Sequence, residues 1–315
     1  MDSPLRGRTS GYLAIVVAAI LFGAWPSAAD FVLDDVHPIT LTILIQGIPG
    51  LLMVPWLRRF RVSRRDAVLL LGTAVAGGAL APASYFFGLE RTTPANAVLL
   101  SNTEAFFTMI FAFVLLKERM NPRGYPAFGG IAAGAFVVTT DLRLGDVSFL
   151  PHLVGNLLLV VSAVFWALNN VGSTVLLRRL RILPLLSLQF LLGSGLLVPF
   201  ALAARGPFAV GPEDAPFLLL LAVGGIGVFA VLFFHAFRTI GAMRSGAVLS
   251  TSALWGVLLA YFLFPGETLS PTQLAGGAVM LGSLIALYFL GERGAPKSAP
   301  VETLKAAPSD GPRPP

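Results

Sequence analysis

Residues 67–89, AVLLLGTAVAGGALAPASYFFGL, form a run of 23 residues without a charged side chain. A helix needs about 20 mostly apolar residues to cross the hydrocarbon core of a bilayer, which is about 30 Å thick. Transmembrane β-strands are shorter, about 10 residues, and alternate in hydrophobicity. This run therefore predicts a membrane-spanning helix.

The same pattern recurs along the chain. The sequence predicts ten such spans, at about 11–33, 38–57, 67–89, 94–116, 122–140, 152–176, 183–204, 215–237, 243–264 and 271–291. Three of them begin at a proline that follows His37, Asn121 or Ser270. Proline at a first helical position costs no helical hydrogen bond, so these are good start signals. The predicted fold class is an all-α polytopic membrane protein.

The composition of the whole chain agrees with this fold class. Of the 315 residues, 56% are hydrophobic and only 12% are charged, whereas soluble domains carry about 25% charged residues. The absence of Cys excludes disulfides, thiolate chemistry and Cys-ligated zinc or iron–sulfur clusters. No cofactor and no metal are expected.

The basic residues predict the orientation in the membrane. If the N-terminus is cytoplasmic, ten spans return the C-terminus to the cytoplasm, and nearly all Lys and Arg residues then lie inside, as the positive-inside rule requires. The residues expected outside are Arg91, Arg143 and Arg205. Because this bias accounts for the pI near 10.2, no nucleic-acid partner is expected. Residues 292–315 are predicted to be a disordered cytoplasmic tail.

The two halves of the chain resemble each other. VVAAILFGAW (16–25) aligns with VVSAVFWALN (160–169), and NAVL (96–99) aligns with GAVL (246–249). Each copy holds five predicted helices, and since five is odd, the second copy must be inverted in the membrane. The predicted repeats are 11–141 and 151–291. Inverted five-helix repeats are typical of secondary transporters, which bind substrate between the halves near the bilayer midplane.

The fourth and fifth predicted helices carry a family resemblance. Residues 88–138, GLERTTPANAVLLSNTEAFFTMIFAFVLLKERMNPRGYPAFGGIAAGAFVV, and their counterpart at 236–287 resemble EamA-type transporters of the drug/metabolite transporter superfamily. The resemblance implies ten helices in two inverted halves, a central cavity, and export or exchange of small metabolites. Pro265-Gly266 departs from the family's Leu-Gly ending, which suggests a slightly shortened ninth helix.

Glu104 is the most informative polar residue. It lies midway along the fourth predicted span, where a charged side chain costs about 2.5–3.5 kcal/mol on insertion scales. It is therefore expected to face a cavity or to be protonated. Ser101 and Thr108 extend one polar strip along the same helix face. Two interpretations stay open: a proton or substrate-amine site, or a protonated glutamate bonded to a neighbouring carbonyl.

The sixth predicted helix carries a second polar stripe. Ser162, Trp166, Asn169 and Ser173 recur at helical spacing, with Asn170 adjacent. Two neighbouring Asn side chains are not expected to face lipid, so this stripe is predicted to point inward. It either lines a cavity or forms hydrogen bonds between helices.

The two stripes without Ser162, together with Asn102 and three further aromatic residues, give the candidate path for substrate and protons. An inward-facing Trp either stacks on substrate or serves packing alone, and both interpretations stay open. The candidate residues are Glu104, Ser101, Thr108, Asn102, Trp25, Tyr85, Trp166, Asn169, Asn170, Ser173 and Trp255.

The function predicted from these features is secondary active transport by alternating access, as a proton-linked exporter of small metabolites such as amino acids. A gradient-independent facilitator or exchanger and a lipid scramblase are the alternatives. An enzyme is not expected, because the three His are scattered and no catalytic or nucleotide-binding motif is present. Expected partners are a small-molecule substrate, protons and the lipid bilayer, with a homodimer as a possible state. Arg-rich composition without an Asn-x-Ser/Thr sequon favours a bacterial inner membrane.

Overall fold

The computed structural model describes most of the chain, and every regular element in the described parts is helical. The described residues are 4–33, 36–58, 60–92, 100–101, 103–119, 121–143, 152–203, 210–263 and 270–290. The candidate Asn102, the Pro265-Gly266 pair and the tail 292–315 lie outside these ranges.

Each predicted span corresponds to a helix, which confirms the all-α fold class. The helices are α1 Pro4–Leu33, α2 Pro38–Leu52, α3 Arg64–Leu89, α4 Thr103–Leu115, α5 Tyr125–Thr140, α6 Leu153–Leu177, α7 Ile182–Ala203, α8 Ala215–Ile240, α9 in two parts, Ala242–Leu249 (α9a) and Ser252–Leu263 (α9b), and α10 Pro271–Leu290.

The surface of these helices is suited to lipid. In the described ranges, α3, α6, α7 and α8 are long and apolar enough to cross a membrane, and shorter apolar stretches occur in α1, α2, α4 and α10. Phe200, Phe262 and Phe289 are each more than half exposed. Apolar surface of this extent is unfavourable in water, so the protein is an integral membrane protein.

The proline starts predicted from the sequence are present. His37 caps α2 by accepting a hydrogen bond from the Ile39 backbone N–H, and α2 begins at Pro38. Ser270 caps α10 in the same way, through the Gln273 N–H. These side chains satisfy backbone donors that have no partner inside the helix.

The ninth span differs from its prediction as one helix. It is divided between α9a and α9b at Ser250 and Thr251. The hydroxyl of Thr251 donates to the Val248 carbonyl at 2.8 Å, and the Ser250 hydroxyl reaches the Gly246 carbonyl. Such side-chain bonds can compete with the helical backbone pattern, but the same type of bond occurs inside continuous helices, at Thr42 of α2 and Thr174 of α6, so these bonds accompany the break without accounting for it.

Helices α3 and α8 each contain a π-helical segment. The segments are Ala74–Leu80 in α3 and Leu220–Val228 in α8, and each contains a Gly-Gly pair, at 77–78 and 224–225. Single π-helical turns are rare and frequently lie at functional sites. The two segments occupy matching places in the two halves of the chain.

The helices pack in a pattern that pairs the halves. Helix α1 packs against α8 and α9b, while α6 packs against α3 and α4. Helices α2 and α7 contact each other, as do α5 and α10. The backbones of Gly78 in α3 and Gly193 in α7 approach so closely that a Cβ on either residue would overlap the other helix. All ten helices contribute to the buried core, and a central cavity lies where α1–α4 meet α6–α8.

Candidate functional site

A cavity lies between helices of the two halves, and its empty space, counting the part that is open to the surroundings, is about 560 Å³. Its walls come from α1–α4 on one side and α6–α8 on the other. The lining residues are Phe22, Trp25, Gln46, Gly77, Gly78, Glu104, Trp166, Asn169, Asn170, Leu186, Gln189, Phe190, Ile226, Phe229, Ala230, Phe233 and Phe234.

Glu104 is in the first turn of α4, and only 6% of it is exposed. The Asn170 side-chain amide of α6 donates to Glu104 Oε1 at 2.7 Å and to Thr108 Oγ1 at 3.2 Å. Both acceptors lie on α4, one helical turn apart. Glu104 is thus oriented by a side-chain amide, and its Oε2 forms no hydrogen bond within the described residues.

A second polar cluster is centred on Gln189 of α7. Its side-chain nitrogen lies 2.7 Å from Thr73 Oγ1, 2.9 Å from Ser173 Oγ and 3.1 Å from Asn169 Oδ1. An amide group has two hydrogens, so three acceptors share two donors. The Ser173 hydroxyl relieves this competition by donating to Asn169 Oδ1 at 3.2 Å. The cluster joins α3, α6 and α7.

The consecutive residues Asn169 and Asn170 connect the two clusters. Neighbouring residues on a helix point about 100° apart, so Asn170 reaches Glu104 on α4 while Asn169 reaches Gln189 on α7. The cavity therefore has a carboxyl group at one position of its wall and a group of amides at another, and hydroxyl groups hold these amides from outside the lining.

Aromatic rings form much of the remaining wall. The ring centre of Trp25 lies 5.6 Å from that of Tyr85 and 5.8 Å from that of Trp166, and Tyr85 and Trp166 are 5.4 Å apart. A second group begins at Phe22, whose ring stacks on Phe229 at 5.3 Å. These spacings are typical of favourable aromatic pairs.

Two buried polar atoms at the cavity have no partner in the described parts of the chain. They are Trp25 Nε1, a donor, and Gln46 Oε1, an acceptor. Trp25 is 3% exposed and Gln46 is 2% exposed. Since buried polar groups are nearly always hydrogen-bonded, these two atoms are the candidate hydrogen-bonding groups for a polar molecule at the cavity.

Five of the sequence-derived candidates line this cavity directly: Glu104, Trp25, Trp166, Asn169 and Asn170.

Three other candidates contact lining residues without lining the cavity themselves: Thr108, Ser173 and Tyr85. Ser101 is buried next to the start of α4 but does not line the cavity, and neither does Trp255. Trp255 is on α9b, where Gly23 of α1 packs closely against it.

Sequence reasoning missed Gln46, Thr73 and Gln189. Gln46 and Gln189 are each the only amide side chain in their apolar spans. That isolation is the signal that could have identified them, because a polar side chain inside a membrane is expensive and turns away from lipid.

Replacing Gly77 by Ala is expected to weaken the transport that the sequence predicts. A Cβ at this position would lie 2.6 Å from the Asn169 Cβ and closer still to its amide carbon, so the Asn169 side chain must move away from Gln189. Uptake into vesicles that contain each variant measures the effect. Gly72→Ala on the same helix is the matched control, since no described atom lies within 4 Å of its new Cβ. Equal loss in both variants would contradict the expected role of Asn169.

Comparison with protein families assigns both halves of the chain to the same type of module. The model described as EamA-like transporter family matches residues 9–140 and again residues 153–289.

Two curated relatives span almost the whole chain. A protein of Methanothermobacter thermautotrophicus named "Uncharacterized transporter" is 28% identical, and the alignment covers 90% of this chain and 88% of the relative. The pseudopaline exporter CntI of Pseudomonas aeruginosa is 26% identical, with 88% of this chain and 95% of the relative covered.

A solved crystal structure is also similar. It superposes with a TM-score of 0.73 over 91% of this chain and 100% of that chain, at 20% sequence identity. At that identity the similarity concerns the fold alone.

Proposed function

Because this chain belongs to the EamA-like transporter family, we propose that it is a proton-linked secondary transporter that exports small metabolites, such as amino acids, through the central cavity. The family and the names of the relatives indicate a transporter rather than an enzyme. Transport implies a small-molecule substrate. The proposal adds to the family assignment an exported compound, such as an amino acid, and a coupling ion, the proton.

The observation that carries the proposal is the position of Glu104. A carboxyl group buried at a cavity between two halves of a membrane protein is costly, and such groups commonly mark ion and substrate paths. Protonation changes its charge from −1 to 0. Binding of a proton therefore changes what the cavity attracts, which is the physical requirement for coupling transport to a proton gradient.

Alternating access is proposed to arise from two inverted halves, 11–141 and 151–291. The packing of α1 on α8 has its counterpart in the packing of α6 on α3, and the contact of α4 with α6 has its counterpart in that of α9 with α1. The matching π-helical segments of α3 and α8 agree with the same relation. Two copies in opposite orientation can exchange conformations, so each side of the cavity can open in turn.

The orientation proposed for the protein places both termini in the cytoplasm of a bacterial cell, with the helices in the inner membrane. The distribution of Lys and Arg between the connecting segments supports this orientation. A homodimer within the membrane is compatible with the exposed apolar surface and remains part of the proposal.

The test of the proposed function is accumulation against a gradient. Purified protein is reconstituted in liposomes, a pH gradient is imposed, and the uptake of labelled amino acids and related metabolites is measured. We expect concentration of substrate above equilibrium only when the gradient is present. Flux that merely equilibrates the substrate, with or without a gradient, would instead support a facilitator or exchanger. Movement of labelled lipid would support a scramblase.

A further inference from the structure

The residues that line the cavity contain a single ionisable group. Of the described lining residues, only Glu104 is acidic, and none is Lys, Arg or His. The remaining polar lining consists of amides, which carry no net charge. An anionic group on a substrate would find no cation here, and it would lie in the same cavity as the carboxyl group of Glu104.

Two acceptor atoms at the cavity lack a hydrogen-bond partner among the described residues, and a group with several N–H donors can satisfy both. Gln46 Oε1 is buried without a partner, and Glu104 Oε2 accepts no hydrogen bond from the described residues. An ammonium group carries up to three N–H donors and no acceptor. Hydrogen bonds from a charged donor to a carboxylate are also about twice as strong as neutral ones.

The aromatic rings of the cavity wall suit both an ammonium group and an apolar body attached to it. The rings of Trp25 and Trp166 both line the cavity, as does that of Phe229. Cations are attracted to the faces of Trp and Phe rings. An aromatic or branched apolar body would pack against the same rings.

We propose that the cavity selects substrates with one ammonium group on an apolar or aromatic body, and that it rejects substrates with a free carboxylate. This inference rests on the proposed transport function and narrows its substrate class from small metabolites to amines without a carboxylate, which excludes amino acids. Glu104 receives the ammonium group, and Gln46 Oε1 accepts one of its hydrogens.

Calorimetric titration of the purified full chain in detergent tests the selection with three probes that share one ring. The probes are 2-phenylethylamine, phenylalanine and 3-phenylpropionate, which are cationic, zwitterionic and anionic near neutral pH. We expect the amine to bind at least about tenfold more tightly than the other two, because 3-phenylpropionate has no ammonium group for Glu104 and phenylalanine brings a carboxylate for which the lining residues offer no cation. Phenylalanine binding as tightly as the amine, or no binding of the amine, would overturn the inference.

Substitutions identify the groups that make the selection. Glu104→Gln keeps the shape of the side chain and is expected to weaken amine binding about tenfold or more. Gln46→Met removes the acceptor and is expected to weaken it severalfold. Glu90→Gln is the control, because Glu90 is exposed and paired with Arg91 at 2.9 Å, away from the cavity. Equal affinities in Glu104→Gln and the wild type would overturn the role of Glu104.

A transport measurement with the same probes separates this inference from the proposed function. Accumulation of 2-phenylethylamine but not of phenylalanine supports both. Accumulation of phenylalanine in preference to the amine overturns the substrate class and leaves the transport function intact. Tight binding of the amine without transport of any probe supports the selection and contradicts the transport function.

Discussion

Replacement of Glu104 by Gln is expected to abolish accumulation driven by a pH gradient. Glutamine keeps an oxygen that can accept the hydrogen bond from Asn170, which in the wild type is 2.7 Å long, but it cannot take up a proton. The local packing is therefore preserved while the titratable group is lost. The ratio of internal to external substrate in gradient-energised liposomes should fall to about that of vesicles without a gradient.

The control for this variant is another carboxyl group with the same substitution. Glu90→Gln removes an exposed charge at the end of α3 and is expected to accumulate substrate as the wild type does. Unchanged rate and unchanged pH dependence in Glu104→Gln would contradict the coupling role. Glu104 would then be a packing residue, held in place by Asn170 alone.

The positions of the spans could be predicted from the sequence because hydrophobic length is a local property. A run such as 67–89 contains all the information that makes it long and apolar enough to cross a bilayer. The division of α9 could not be predicted in the same way. It coincides with two hydroxyl–carbonyl bonds, at Ser250 and Thr251, but Thr42 and Thr174 form the same type of bond inside continuous helices, so a hydroxyl residue alone does not predict a break.

Only part of the candidate site could be predicted from the sequence. The cost of burying a charge or two adjacent amides can be judged without a structure, so Glu104, Asn169 and Asn170 were found. Whether a Trp reaches the cavity depends on which helices surround it. Trp25 and Trp255 both lie within apolar spans, yet Trp25 lines the cavity and Trp255 packs on the far side of α1, next to Gly23.

The two Gln residues, Gln46 and Gln189, were missed for a different reason. Gln46 and Gln189 satisfy the rule that identified Glu104, since each is the only amide side chain in an apolar span. The prediction relied on stripes of several polar residues and therefore did not include these two Gln residues. Their partners on α3, the Gly77 carbonyl at 3.4 Å and the Thr73 hydroxyl at 2.7 Å, are distant in sequence. The functional context of each Gln therefore becomes visible only when α3 is packed against both α2 and α7.

Replacement of Gly193 by Ala is expected to destabilise the protein and to stop transport. A Cβ at this position would overlap the Cα, carbonyl carbon and oxygen of Gly78. Overpacking costs about 1–3 kcal/mol where side chains can adjust, and backbone atoms cannot rotate away as a side chain can. The α3 and α7 backbones must therefore separate, which moves Gln189, one turn before Gly193, away from Thr73. Thermal unfolding in detergent and uptake into liposomes measure the two effects.

Gly195→Ala is the matched control, two residues further along α7. No described atom lies within 4 Å of the Cβ that this substitution adds, and alanine favours a helix over glycine by about 1 kcal/mol. Its unfolding temperature is expected to equal or exceed that of the wild type. If Gly193→Ala unfolded at the same temperature as Gly195→Ala and transported equally well, the close approach of α3 and α7 would not be required. Loss of transport with an unchanged unfolding temperature would instead mean that this contact matters during the transport cycle more than in the resting fold.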